Sequence, residues 1–211
     1  MPSKGKSVES ISSSSPGSVV DVDGTIGLTY DSVIREYNKK HLTHFTRADL
    51  HQLEPMMLGT RRIAWEEYRE LYGHAWKRWK DLEPAADSGL LWELKRKTGL
   101  VIASTRIPEF VPPLQEWLDY YYHGLVEKPF IRRGFGAKLS RGKYFLDENP
   151  VFADILQGRV PRAERRYTAQ AKEKVLKLIR MPWNPSIEPS EKVEVVRTVD
   201  DGIMSIIRTV A

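Results

Sequence analysis

The chain has 211 residues, 41% hydrophobic and 29% charged, enough for one domain with a large core or a core domain plus a small accessory one. No apolar run approaches the ~18 residues that cross a bilayer. There are no cysteines, which excludes disulfides, thiolate metal sites and a cysteine nucleophile.

Residues 1–16 are rich in Ser, Gly and Pro and lack the apolar middle of a signal peptide. They read as a mobile tail on a chain that stays in the cytoplasm. Ser18-Val19-Val20-Asp21 is a short apolar run that stops at an acid, which predicts a buried strand, and Gly24 supplies a tight turn. Residues 31–84 read as mostly helical with no strand pattern. Asp31 would cap a helix to about His41, Thr46 one to about Leu53, and a longer helix spans roughly 60–80. Within it Trp65, Tyr68, Tyr72, Trp76 and Trp79 fall at helical spacing, which predicts packing between helices, with stacking against a base as the minority use.

Pro84 ends that block. Ser88 to Lys97 predicts a helix stopped by Gly99, and Leu100 to Ala103 a second buried strand. Pro108, Pro112 and Pro113 mark a loop and then the first turn of a helix to about Tyr121. Lys143 to Asp147 is another strand ending at an acid. A helical stretch follows between about 151 and 173, with a break at Pro161. Val175 to Arg180 suits a strand, though its flanks also suit a helix end. Val193 to Arg197 is a last strand, and Asp200 or Asp201 caps a last helix. Strands separated by helices imply parallel pairing with right-handed crossovers. The predicted fold is therefore α/β, a three-layer Rossmann-like parallel sheet core over 17–30 and 85–211, with a small helical cap at 31–84 inserted after the first strand.

Asp21-Val22-Asp23-Gly24-Thr25 directly follows a strand, so its carboxylates stand at the carboxyl end of a parallel sheet, where such folds place their sites. Paired carboxylates this close suit a divalent cation and a split between nucleophile and acid/base. The five histidines show no metal-ligand spacing. The formal net charge of +5 suits an anionic substrate or a nucleic acid, although the basic residues are scattered among acids as on an ordinary soluble surface.

The Asp-x-Asp-x-Thr run resembles the first motif of the haloacid dehalogenase superfamily of phosphohydrolases. Val101 to Arg106 resembles its second motif, with Ser104 in the usual place and Thr105 as the alternative. Lys138 matches the expected lysine, with Lys143 as the alternative, and Asp147-Glu148-Asn149-Pro150 matches the acidic fourth motif. The finer resemblance is to the nucleotidase-like branch, through Ser104-Thr105-Arg106 and Met181-Pro182-Trp183-Asn184. Glu148 stands where that family usually has Asp, and Met181 where the branch usually has Gln.

The resemblance implies a phosphatase that forms an aspartyl-phosphate intermediate on a small phosphorylated metabolite such as a nucleoside monophosphate. Asp21 would be the nucleophile and Asp23 the acid/base. Ser104 and Lys138 would hold the phosphoryl oxygens, and Gly24, Thr25, Thr105 and Arg106 would line the substrate. Mg²⁺ would be held by Asp21, Asp23 (through its backbone carbonyl), Asp147 and Glu148. Two rivals stand beside this reading. One is a phosphatase acting on nucleic-acid ends, suggested by the basic segment Arg159 to Lys177. The other is a non-catalytic interaction protein on the same fold, which the retained Asp21, Asp23 and Asp147 argue against.

Overall fold

A computed structural model describes residues 17–53, 55–105, 108–131, 135–159, 167 and 170–211. The expected tail at 1–16, Arg106 and the expected break at Pro161 lie outside these residues. Among the described residues, no helix is long and apolar enough to cross a membrane.

Six parallel strands form the central sheet: β1 (Ser18–Asp21), β5 (Leu100–Ser104), β6 (Phe130–Ile131), β7 (Tyr144–Asp147), β8 (Val175–Ile179) and β9 (Val193–Val196). Their order is β6-β5-β1-β7-β8-β9. The chain thus winds outward from β1 in one direction, then returns and winds outward from β7 in the other. This is the doubly wound arrangement expected from the sequence, and its switch point lies between β1 and β7. Ser18 pairs with Leu100 on one side and Tyr144 on the other, so β1 is central and buried throughout.

Alternate residues of the strands supply the two faces. Val20, Ile102, Leu146, Ile179 and Val196 join one core with α3 (Ser88–Thr98) and α7 (Val199–Val210). Val19, Ala103, Phe145, Leu176, Leu178 and Val193 join the other with α6 (Pro150–Gln157). Local chemistry sets the helix ends. The Asp87 side chain accepts from the Leu90 amide at the start of α3, and Gly99 ends that helix with φ +68°. Asn149 caps α6, with Pro150 in its first turn. The last helix is capped by Thr198, with Asp201 returning to the Thr198 amide. Position 201 was one of the two expected caps; it is instead the third residue of the helix.

Segment 31–84 contributes no strand to the central sheet among its described residues. It carries most of α1 (Thr29–His41) and all of α2 (Trp65–Lys77), which pack together. It is not wholly helical, however. The helix expected from Thr46 to Leu53 is a single 3₁₀ turn at 47–49, followed by β2 (Leu50–Leu53), β3 (Met56–Leu58) and β4 (Arg61–Arg62) in a small antiparallel sheet. Two local features explain this. Thr46 and Asp49 bond reciprocally and close the turn on itself. Gly59, with φ +59°, then reverses the chain between β3 and β4. The strands are too short for their alternation to stand out in sequence. Two further elements escaped the sequence pattern for the same reason, the two-residue edge strand β6 and the five-residue helix α5 (Phe135–Leu139). Val175–Ile179 is a strand, which decides the ambiguity at that position.

Segment 31–84 packs against α4 (Val111–Tyr122). Trp117 is fully buried, donates its indole N–H to the Leu82 carbonyl at 2.8 Å, and meets Trp76 of α2 edge-on at 6.1 Å. It also lies against Gly27, just after β1. Replacing Trp117 by Ala should therefore cost about 3–5 kcal/mol, read as a lower urea midpoint. A cost under about 1 kcal/mol would mean that this contact does not anchor the segment.

Candidate active site

Two neighbouring parallel strands, β1 and β7, end in Asp21 and Asp147 at the switch point. Parallel pairing puts both carboxylates at the same, carboxyl end of the sheet, and both are almost fully buried. Such proximity is costly unless a cation intervenes. Lys138, on the last turn of α5, supplies it. Its ammonium donates to Asp21 Oδ1 and, at 2.8 Å, to Asp147 Oδ2, and it is only 4% exposed. The sequence alternative, Lys143, lies over the Tyr144 ring instead.

Glu148 extends the cluster. Its carboxylate accepts from the fully buried Thr25 hydroxyl at 2.7 Å. Its backbone carbonyl accepts from the Asn184 side chain, which also donates to the Ile179 carbonyl at the end of β8. One Asp147 oxygen accepts from the Asn149 amide at 3.0 Å. Thr25, expected beside the substrate, thus has its hydroxyl committed to an acid of the cluster. Asn184 was seen only as part of a sequence motif, and its function as a clamp on Glu148 requires the fold.

Asp23 sits apart from this trio. Its carboxylate accepts from the Ser104 hydroxyl at 3.3 Å and from the Tyr72 hydroxyl at 3.1 Å to each oxygen. Ser104 is buried at the end of β5, whereas Thr105 is exposed. The turn between Asp23 and Thr25 needs glycine: Gly24 has φ +78°, and a Cβ there would lie 2.4 Å from the Tyr30 ring. Tyr30 in turn packs edge-on against Trp183 at 5.3 Å. Sequence reasoning missed Tyr30 and Tyr72 as parts of the site. Tyr72 was visible only as one member of the aromatic row on α2, most of which does pack as core.

The electrostatics follow from burial. Loss of water pushes the Asp21 carboxyl up to about 7 against the pull of Lys138, and the charges of Asp147 and Asp23 add to the rise. Burial, with Asp147 and Asp21 nearby, likewise raises Glu148 well above its ordinary range. For Lys138 burial acts the other way, but the two aspartates outweigh it and hold the ammonium charged. The result is a buried site with more carboxylate than one ammonium can balance. Oxygens of Asp21, Asp147 and Glu148 lie within 4.8 Å of one another. An all-oxygen, strongly anionic donor set of this kind fits a hard divalent cation such as Mg²⁺.

No family model matches the sequence, and no curated protein matches it. The structure is similar to the crystal structure of a HAD hydrolase, family IA, variant 3, from Entamoeba histolytica. The identity is 11%, the match covers 92% of this chain and 99% of that one, and the TM-score is 0.47. At that distance the likeness says nothing about chemistry.

The raised Asp21 carboxyl has a thermodynamic consequence. Between its ordinary value of 3.8 and about 7, the folded protein holds a proton that the unfolded chain has released. Stability should therefore fall as pH rises through that window. In chelator, the wild-type urea midpoint should fall more steeply from about pH 4 to about pH 7 than that of Asp21→Asn, which lacks the titrating group. Saturating Mg²⁺ at pH 7 should raise the wild-type midpoint by binding only the folded state. Parallel pH curves, with no response to Mg²⁺, would contradict this account of the cluster.

Proposed function

We propose that this protein is a Mg²⁺-dependent phosphatase of the haloacid dehalogenase type, with Asp21 as covalent nucleophile. The observation that carries the reading is the buried Asp21–Lys138–Asp147 cluster at the switch point, with Glu148 beside it and Asp23 held separately. The sequence motifs that resemble that superfamily supply the residues of this cluster.

A divalent cation held by Asp21, Asp147 and Glu148 would offset the charge of an incoming phosphate. The chain's own residues do the rest. Asp21, oriented by Lys138, attacks phosphorus, and the ammonium of Lys138 offsets the charge that gathers on the phosphoryl oxygens. Ser104 offers its hydroxyl to the same oxygens. Asp23 protonates the leaving oxygen and later takes a proton from the water that cleaves the aspartyl phosphate. Separation of Asp23 from the trio suits this division of labour, since a carboxylate committed to a cation is a poor proton carrier. The substrate in this reading is a small phosphorylated metabolite, with a nucleoside monophosphate as the first choice from the sequence resemblance. Segment 31–84 acts as a cap whose seating over the strand ends limits the size of what enters.

Hydrolysis of an aryl phosphate should require Mg²⁺ and vanish in excess chelator. Asp21→Asn should form no covalent phosphate in a rapid-quench assay. Asp23→Asn should still form it from an activated aryl phosphate, while turnover falls by about 10²–10⁴-fold because proton transfer is lost. Wild-type levels of covalent phosphate on Asp21→Asn would eliminate Asp21 as the nucleophile.

A further inference from the structure

The inserted segment reaches the acidic site through Tyr72. Its ring lies on α2, is 8% exposed, and stands edge-on against Phe110 at 5.1 Å. Tyr68 and Trp76, one turn away on either side, flank it at 5.8 and 6.3 Å. At Gly73 the helix also runs close to the Phe110 ring, where a Cβ would stand in ordinary contact at 3.4 Å. Phe110 belongs to the turn that follows β5 and leads into α4. The phenol is therefore seated between α2 and the sheet domain, and its hydroxyl meets both oxygens of Asp23.

We propose that Tyr72 is a positioning residue for Asp23, so that proton transfer to the leaving group is fully effective only with α2 seated on the sheet domain. The inference rests on the phosphatase reading, with Asp23 as acid/base, and adds to it a residue supplied by the inserted segment. In the first step the Asp21–phosphorus bond forms as the ester bond breaks, and the proton of Asp23 passes to the departing oxygen. In the second, water attacks phosphorus, its proton returns to Asp23, and the bond to Asp21 breaks to release phosphate. Both transfers require an Asp23 oxygen within hydrogen-bond reach of a moving proton, and misplacement by about 1 Å can cost on the order of 10²-fold.

Ser104 also holds Asp23, through Oδ2. In the proposed mechanism, however, the serine hydroxyl turns to the phosphoryl group when substrate arrives. Tyr72 comes from another element, α2, so its hydroxyl can hold Asp23 while Ser104 changes partner. It meets both carboxylate oxygens at equal distance, so one oxygen can carry the proton while the other accepts from the phenol. The buried ring meanwhile gives the hydroxyl little freedom to follow a wandering carboxylate.

The test is Tyr72→Phe, which keeps the ring and its packing and removes only the hydroxyl. Its readout is kcat/KM, with Mg²⁺, on two esters: 4-nitrophenyl phosphate, whose leaving group departs without a proton, and ethyl phosphate, whose leaving group needs one. Urea midpoints of the same preparations establish the folded fraction used to normalise the rates. The expected result is a fall at least about ten-fold larger on ethyl phosphate than on 4-nitrophenyl phosphate, a share of the ~10²–10⁴ available from general acid catalysis. Equal falls on the two esters, or no fall on either, would overturn the positioning role and leave the phosphatase reading intact. Wild-type protein inert toward both esters, and forming no covalent phosphate, would remove the phosphatase reading and this inference with it.

Discussion

The ammonium of Lys138 holds together a site that would otherwise repel itself. Parallel pairing of β1 and β7 places Asp21 and Asp147 side by side at the carboxyl end of the sheet, away from water, and Glu148 follows directly. A buried carboxylate without a partner costs several kcal/mol. Here the neighbours are arranged to meet that demand: Lys138 between the two aspartates, Thr25 on Glu148, and the Asn149 amide on Asp147. Even so, Asp21 and Glu148 retain raised carboxyls. This residual frustration is a property of the cluster itself, and a bound cation would relieve it.

The constraint propagates outward. Glu148 must stay where Thr25 can reach it, so the turn after β1 must be tight, and glycine at 24 is what allows Tyr30 to close over that turn. Asn184 fixes the backbone of Glu148 from the loop after β8, tying the far half of the sheet to the same point. The inserted segment bears on it from the other side. Trp117 and Phe110 receive the aromatic face of α2, and that contact brings the Tyr72 hydroxyl to Asp23. Thus the trio that suits a cation is built at the ends of β1 and β7, whereas the environment of Asp23 also draws on α2.

That division explains which features are legible without a structure. Runs such as Ser18–Asp21 and Tyr144–Asp147 announce buried strands ending in acids, because a strand covered on both faces needs a continuous apolar stretch. By contrast, β2 to β4, β6 and α5 are too short for periodicity to register. Tyr72 illustrates a second limit. Spacing identifies it as one of an aromatic row but cannot say which ring has a hydroxyl aimed at a carboxylate 49 positions away.

The sequence by itself therefore determined the alternation of strands and helices, the α/β class, and the placement of Asp21 and Asp147 at strand ends with Asp23 two residues beyond the first, since these depend on local pattern and on the geometry common to parallel sheets. Tertiary structure alone decided that Lys138 rather than Lys143 lies between the aspartates, that Thr25 serves Glu148, that Asp23 turns toward Ser104 and Tyr72, and that the inserted segment carries a sheet. The physical reason is separation along the chain. The Lys138–Asp21 contact spans 117 positions and the Thr25–Glu148 contact 123, and contacts that distant are set by strand order and packing, which no local periodicity records.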